Sequence, residues 1–201
     1  MKRFALGMLF SLLLVSGAWA SGPAPVSVAG IRLGDDFSRY QDMCRMEHAG
    51  AMSDAIFLDE ALIRTGAIHG VRGGSIIYGN CANPGKIVRI KIKFADMSKR
   101  LFKDLLALYT KRFGDPSSYQ GDSFRNVIAW EWDISGSEGR HVKIVLMYST
   151  DSSIRPGVSI KMTDQSLLDL EFSCYKKNFR SLYKATENAG KITDLDLFVP
   201  R

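Results

Sequence analysis

The chain has 201 residues, of which 46% are hydrophobic, 24% charged and 10% aromatic, a composition that excludes a disordered tail and fits a folded globular protein. Its formal net charge is +6. The cations are spread along the sequence rather than gathered in one tract, which argues against nucleic acid as a partner and for weak attraction to anionic surfaces. No window after residue 20 approaches the roughly 20 apolar residues of a spanning helix, so no transmembrane anchor is expected.

Lys2 and Arg3 precede an apolar run from Phe4 to Val15, and Ala18-Trp19-Ala20 supplies the small-x-small pattern of a signal-peptidase site. Residues 1–20 therefore read as a signal peptide cleaved near Ala20. The expected product, residues 21–201, is a single α+β domain that is periplasmic or secreted, with no cysteine at its start to carry a lipid. Loss of Lys2 and Arg3 lowers the formal charge from +6 to +4.

Ser21 to Ser27 holds Gly22, Pro23 and Pro25 and reads as a flexible terminus, followed by a short edge strand from Val26 to Leu33. Asp35 or Asp36 then caps a helix presenting Phe37, Tyr40, Met43 and Cys44, and Ser53 caps a second helix running to Arg64. After Gly66 the period changes to that of strands. Ala67 to Tyr78 and Lys86 to Phe94 form two, joined by a turn-rich segment. In the second, simple alternation sets Val88, Ile90, Ile92 and Phe94 on one face against Ile87, Arg89, Lys91 and Lys93 on the other.

Ser98 to Phe113 carries two apolar seams, Leu101-Leu105-Leu108 and Phe102-Leu106-Tyr109-Phe113, with Gly114 and Pro116 behind them, and predicts a helix lying across a sheet. Asn126 to Ile134 and His141 to Tyr148 alternate as a hairpin expected at the sheet centre. Its inward residues are Ile128, Trp130, Trp132 and Ile134 on one strand and Val142, Ile144, Leu146 and Tyr148 on the other. Val158, Ile160 and Met162 mark a third strand. Thr163-Asp164 caps a helix through Leu168, Phe172, Tyr175, Phe179 and Leu182, and Lys191 to Arg201 follows as a strap. The expected fold is an antiparallel β-sheet with helices mainly on one face, ordered strand-strand-helix-strand-strand-strand-helix after a helical N-terminal part.

Cys44, Cys81 and Cys174 are an odd number. The expected disulfide joins Cys44 to Cys81, leaving Cys174 as a buried thiol. His48, His69 and His141 are scattered, and Cys44 with His48 at i,i+4 offers too few ligands, so neither a metal nor a cofactor is expected. Glu131 and Asp133 share a strand face about 7 Å apart, a separation within the range of glycosidase carboxylates, but any solvated strand gives the same pattern. Gly70 to Ser75 lacks the helix that completes a phosphate cradle, and Gly73-Gly74 instead marks a bulge or tight bend. No catalytic residue is assigned.

The most ordered charge feature is the strip Lys86, Arg89, Lys91 and Lys93. Trp130 and Trp132 would offer a sugar platform if exposed, although their company with Ile128 and Ile134 argues for core packing. Ala29-Gly30-Ile31-Arg32-Leu33-Gly34-Asp35, an apolar-x-Leu-Gly strand end leading into a short helix, resembles the start of small bacterial envelope domains related to outer-membrane assembly lipoproteins and a secreted lactamase-inhibitor protein. The resemblance implies protein binding rather than catalysis, and the chain departs from the lipoprotein branch by lacking the lipidated cysteine. The expected function is a non-enzymatic envelope binding module that uses Arg89, Lys91 and Lys93 to hold a protein or an anionic envelope component. The alternative is a periplasmic small-ligand-binding protein or hydrolytic enzyme drawing on His69 and the segment Gly73 to Cys81.

Overall fold

The structure is a computed structural model that describes residues 24–136, 139–152 and 156–179. The expected signal peptide, the helix beyond Phe179 including Leu182, and the strap Lys191–Arg201 lie outside the described residues. The architecture is α+β, built on an antiparallel sheet of eight strands. In chain order these are β3 (Cys44–Ala51), β4 (Leu58–Ile63), β5 (Val71–Gly79), β6 (Ile87–Phe94), β7 (Ser118–Tyr119), β8 (Val127–Ser135), β9 (His141–Ser149) and β10 (Gly157–Asp164). Their order across the sheet is β3-β4-β5-β6-β10-β9-β8-β7. Two four-strand meanders thus meet along a central β6–β10 seam, with α1 (Lys99–Phe113) carrying the chain from the centre to the far edge. The β8–β9 hairpin, expected at the centre, lies toward the β7 edge instead, because β10 turns back to pair with β6.

The N-terminal part departs from its helical reading. Residues 24–28 pack on the sheet end: Ala24 is buried, and Val26 O accepts from Leu33 N at 2.8 Å. Ser27–Val28 (β1) and Ile31–Arg32 (β2) form a separate ribbon rather than a sheet edge. It turns at Ala29 and Gly30, both with positive φ, as a tight two-residue hairpin requires. Phe37–Met43 is a 3-10 helix whose Asp36 cap accepts from Ser38 N at 3.0 Å.

The helix expected from Ser53 to Arg64 is strand β4. Leu58 is buried in one apolar cluster while Ala61 and Ile63 are buried in another, so this strand buries apolar residues on both faces, although Leu62 is exposed. Two-sided burial spreads apolar residues without strict alternation and imitates a helical spacing.

The two long helices lie on opposite faces, not mainly on one. Leu101, Phe102, Leu105 and Tyr109 of α1 pack with Trp132, Ile144 and Ile90. Leu167 and Leu168 of α2 (Gln165–Asn178) pack with Leu58, Ile77 and Val88. A register shift sets Ile77 opposite Arg89 and Tyr78 opposite Ile87, leaving Val88 as the extra residue. That bulge reverses the alternation expected here. Ile87 joins the α1 side, and Val88 joins the α2 side.

The expected Cys44–Cys81 disulfide is corrected to Cys81–Cys174, and Cys44 is the buried free thiol. Cys44 opens β3, while the turn after β5 lies beside α2, so topology rather than sequence proximity selects the partner. Burial pushes the Cys44 thiol up from its usual range, which keeps it protonated and unreactive. Glu171 reinforces the same junction. It is fully buried, and its carboxylate accepts from the backbone N–H groups of Cys81 at 2.8 Å, Ala82 at 3.0 Å and Asn83 at 2.5 Å.

Candidate functional site

The face carrying α2 at one end bears most of the cations of the central strands, with Val145 and Met147 of β9 among them. Arg89, Lys91 and Lys93 of β6 alternate with buried Ile90 and Ile92 and so point to this side. The central pairing adds residues that the sequence reading did not assign. Lys161 of β10 sits directly opposite Lys91, and Ser159 opposite Lys93. Lys143 of β9 lies opposite Thr163. Five cations therefore share one face across three adjacent strands. Like charges directly opposed across strands are destabilising, and the Glu60 carboxylate, 3.2 Å from Lys91 Nζ, offsets that repulsion. The alternation of Val158, Ile160 and Met162 implied Lys161's side, but the non-local β6–β10 pairing that sets it against Lys91 left no local signal.

These cations are half-buried and held. Arg89 Nε donates to Thr163 Oγ1 at 3.0 Å, and Lys91 Nζ donates to Glu60 Oε1 at 3.2 Å. Burial pushes Arg89 down from its usual range, against the opposing pull of Asp54 and Glu60. Lys86 stands apart, 3.9 Å from Asp36 Oδ2. At the flank, Lys143 Nζ lies 3.4 Å from Asp133 Oδ2 and 3.9 Å from Glu131 Oε1, and His141 Nε2 contacts Asp133 Oδ1. Burial raises Asp133, but the hydrogen bond and charge of His141, together with Lys143, outweigh it and hold the carboxyl below its usual range. A carboxyl held low in this way is not poised as a general acid at Asp133.

Other sequence candidates are not brought together. Cys44 and His48 lie on a strand, where four residues span about 13 Å, and His48 is exposed. His69 is exposed ahead of β5. Gly73 to Gly79 lies within strand β5, with a bulge between Val71 and Gly73. Gly74 is required because a Cβ there would stand 2.1 Å from Lys91 O. Trp132 is core, its Nε1 donating to Gly114 O at 2.9 Å. Trp130 is half-buried against Tyr119. Among the described residues no group of three His, Cys, Asp or Glu side chains could hold a metal ion, and no helix is long and apolar enough to cross a membrane.

A second concavity lies on the α1 side. It is a cleft of about 530 Å³ between residues 24–28 and the last turns of α1, floored by Ile144, Ile160 and Met162 and lined also by Arg32, Arg112 and Arg140. Arg140 is fixed there by buried Asp164, at 2.6 Å from Nε, and by Leu33 O, at 3.2 Å from Nη2. Its guanidinium passes over Gly34, where a Cβ would meet Nη2 at 2.7 Å and where φ is +80°. Both facts require the glycine. Burial pushes Tyr109 in the cleft wall up to about 12. Compared with protein families, curated proteins and solved structures, the chain gives no match.

Proposed function

We propose that this protein is an exported, non-enzymatic binding module of the cell envelope that holds an acidic protein segment or another anionic envelope component on its basic sheet face. The observation that carries the reading is Lys91 facing Lys161 across the central seam, with Arg89, Lys93 and Lys143 around them. Positive charge gathered on one face across the central strands favours an acidic partner over a neutral one. Export is supported by the Lys2-Arg3, Phe4–Val15 and Ala18–Ala20 pattern of the first twenty residues. Arg89 serves this face as a positioning group tied to Thr163, while Lys91 and Lys93 supply the charge that meets the partner.

The test is crosslinking in the native envelope followed by mass spectrometry, with Lys93→Glu and Lys161→Glu variants alongside. Reversal of Arg89 is avoided because it would bury a carboxylate beside Thr163. A dominant adduct that is lost in both variants with no fall in melting temperature, and weakens with rising salt, is the expected result. An adduct insensitive to either reversal, or none above background, overturns the reading.

A second reading, small-ligand binding, is favoured by the cleft on the opposite face.

A further inference from the structure

We infer that the cleft beside α1 is a binding site for an anionic amphiphile, a molecule with one carboxylate or phosphate head on a compact apolar body. This goes beyond the basic sheet face, since the cleft lies on the other side of the sheet and shares no residue with it.

The cleft joins two chemistries that a ligand must match together. Its floor of Ile144, Ile160 and Met162 is aliphatic, and its volume of about 530 Å³ lies within the range of small-molecule sites. Its other walls bring Arg32, Arg112 and Arg140, and no aspartate or glutamate is among the lining residues. The carboxylates that neutralise two of them stand outside the lining: Asp35 is 3.9 Å from Arg32, and Asp164 is 2.6 Å from Arg140. Arg112 leans on the ring of Phe113, with 5.5 Å between its guanidinium carbon and the ring centroid, which holds a charge beside an apolar wall.

Preorganisation supports a site rather than a surface irregularity. Arg140 is fixed from two sides, so it loses little freedom on meeting an anion. The opposite wall is held by the β1–β2 ribbon and by close packing of Ala24 on Gly136, where a Cβ would meet Ala24 at 2.9 Å. The negative end of the α1 dipole also faces this region, and Lys111 and Arg112 in the last turn offset it. Neither half of the cleft alone selects the ligand. A simple anion leaves the apolar lining of Val26, Val28 and Phe113 uncovered, and a simple hydrocarbon brings no charge to Arg112.

The experiment follows methionine methyl signals by NMR in the purified protein, in whatever processed form the producing cell leaves it. Decanoate below its micellar concentration is compared with decanol and with acetate. Met162 reports the cleft, and Met147, opposite Ser159 on the basic face, reports the other site. Decanoate is expected to move Met162 and leave Met147 in place, while decanol and acetate bind at least about tenfold more weakly. Arg112→Gln, an exposed position on the helix, is expected to weaken decanoate about tenfold without changing the melting temperature of the free protein. The inference is overturned if decanol binds as tightly as decanoate, if Arg112→Gln is without effect, if Met147 alone responds, or if nothing binds. None of these outcomes bears on the envelope crosslink, so the two proposals fail separately.

Discussion

Glu171→Gln tests whether a single buried carboxylate fastens α2 to the turn after β5. In the wild-type chain one oxygen accepts from both Cys81 N and Ala82 N, at 2.8 and 3.0 Å, and the other accepts from Asn83 N at 2.5 Å. Glutamine keeps the shape but turns one oxygen into a donor. With the amide oxygen left on the pair, the new NH2 group meets Asn83 N–H donor to donor. Losing one hydrogen bond to a charged group costs about 1.5–3 kcal/mol, and orphaning a buried donor adds about 1–3 kcal/mol. The surviving pair also weakens when its acceptor becomes neutral. A loss of about 3–5 kcal/mol is expected, a large share of a total that runs to about 5–15 kcal/mol for a typical domain.

Two measurements check this. Guanidinium unfolding with the disulfide intact gives the global loss, and amide hydrogen exchange reads the three turn amides individually. Because Cys81 stays tethered to Cys174, the turn cannot leave, and exchange should rise at residues 81–83 before the sheet opens. Gly79→Ala should reproduce the effect from the other side, since its Cβ would stand 2.5 Å from the Glu171 carboxyl group. A change below about 1 kcal/mol with the three amides still protected would refute the clamp.

Replacing Cys81 and Cys174 together should lower stability by about 2–5 kcal/mol, since the bridge closes a loop across 93 positions; peptide mapping that finds Cys44 in the linkage would refute the pairing. Tyr109 is raised from 10.0 to about 12, so between those values the folded chain holds a proton that the unfolded chain has lost. Stability contributed by this group is full below pH 10 and falls as pH rises to 12, by about 3 kcal/mol in all. Tyr109→Phe should therefore flatten the alkaline slope of urea midpoints, and an unchanged slope counts against the buried hydroxyl.

Much of the second meander was readable because its signals are local. Ser98 caps α1 by accepting from Leu101 N, and Gly114 closes it at φ +81°. The alternation of β8 and β9 placed Trp132 and Ile144 on the α1 side, where they pack. The first meander was less readable. Strand β4 buries apolar residues on both faces, and its neighbour Phe57 finds its ring partners Phe172 and Tyr175 far along the chain. Glu171 illustrates the same difficulty. It stands at core spacing between Leu167, Leu168 and Cys174, and only the three converging N–H groups make burial of its charge tolerable. The basic residues of β6 were visible as a strip, but the opposition of Lys91 to Lys161 depends on a pairing across 70 positions of the chain.

Strand β10 ties both candidate surfaces to one register. Its Ile160 and Met162 floor the cleft, while Ser159, Lys161 and Thr163 face the other way. A slip of one residue against β6 or β9 would drive Lys161 into the packing under α1 and expose Met162, so burial on the α1 side fixes where the cations emerge. The bulge in β6 then sets the limit of the basic lane. Without the extra residue Ile87 would fall on the polar face and leave a gap in the α1 core. With it, Ile87 stays inside and Val88 passes under Leu167 and Leu168. The first cation along β6, Arg89, therefore stands just beyond the apolar contact of α2, and the lane continues to Lys93. An envelope partner that reads this face would accordingly meet α2 as its boundary at one end, and deleting Val88 should disturb the lane and the α2 contact together.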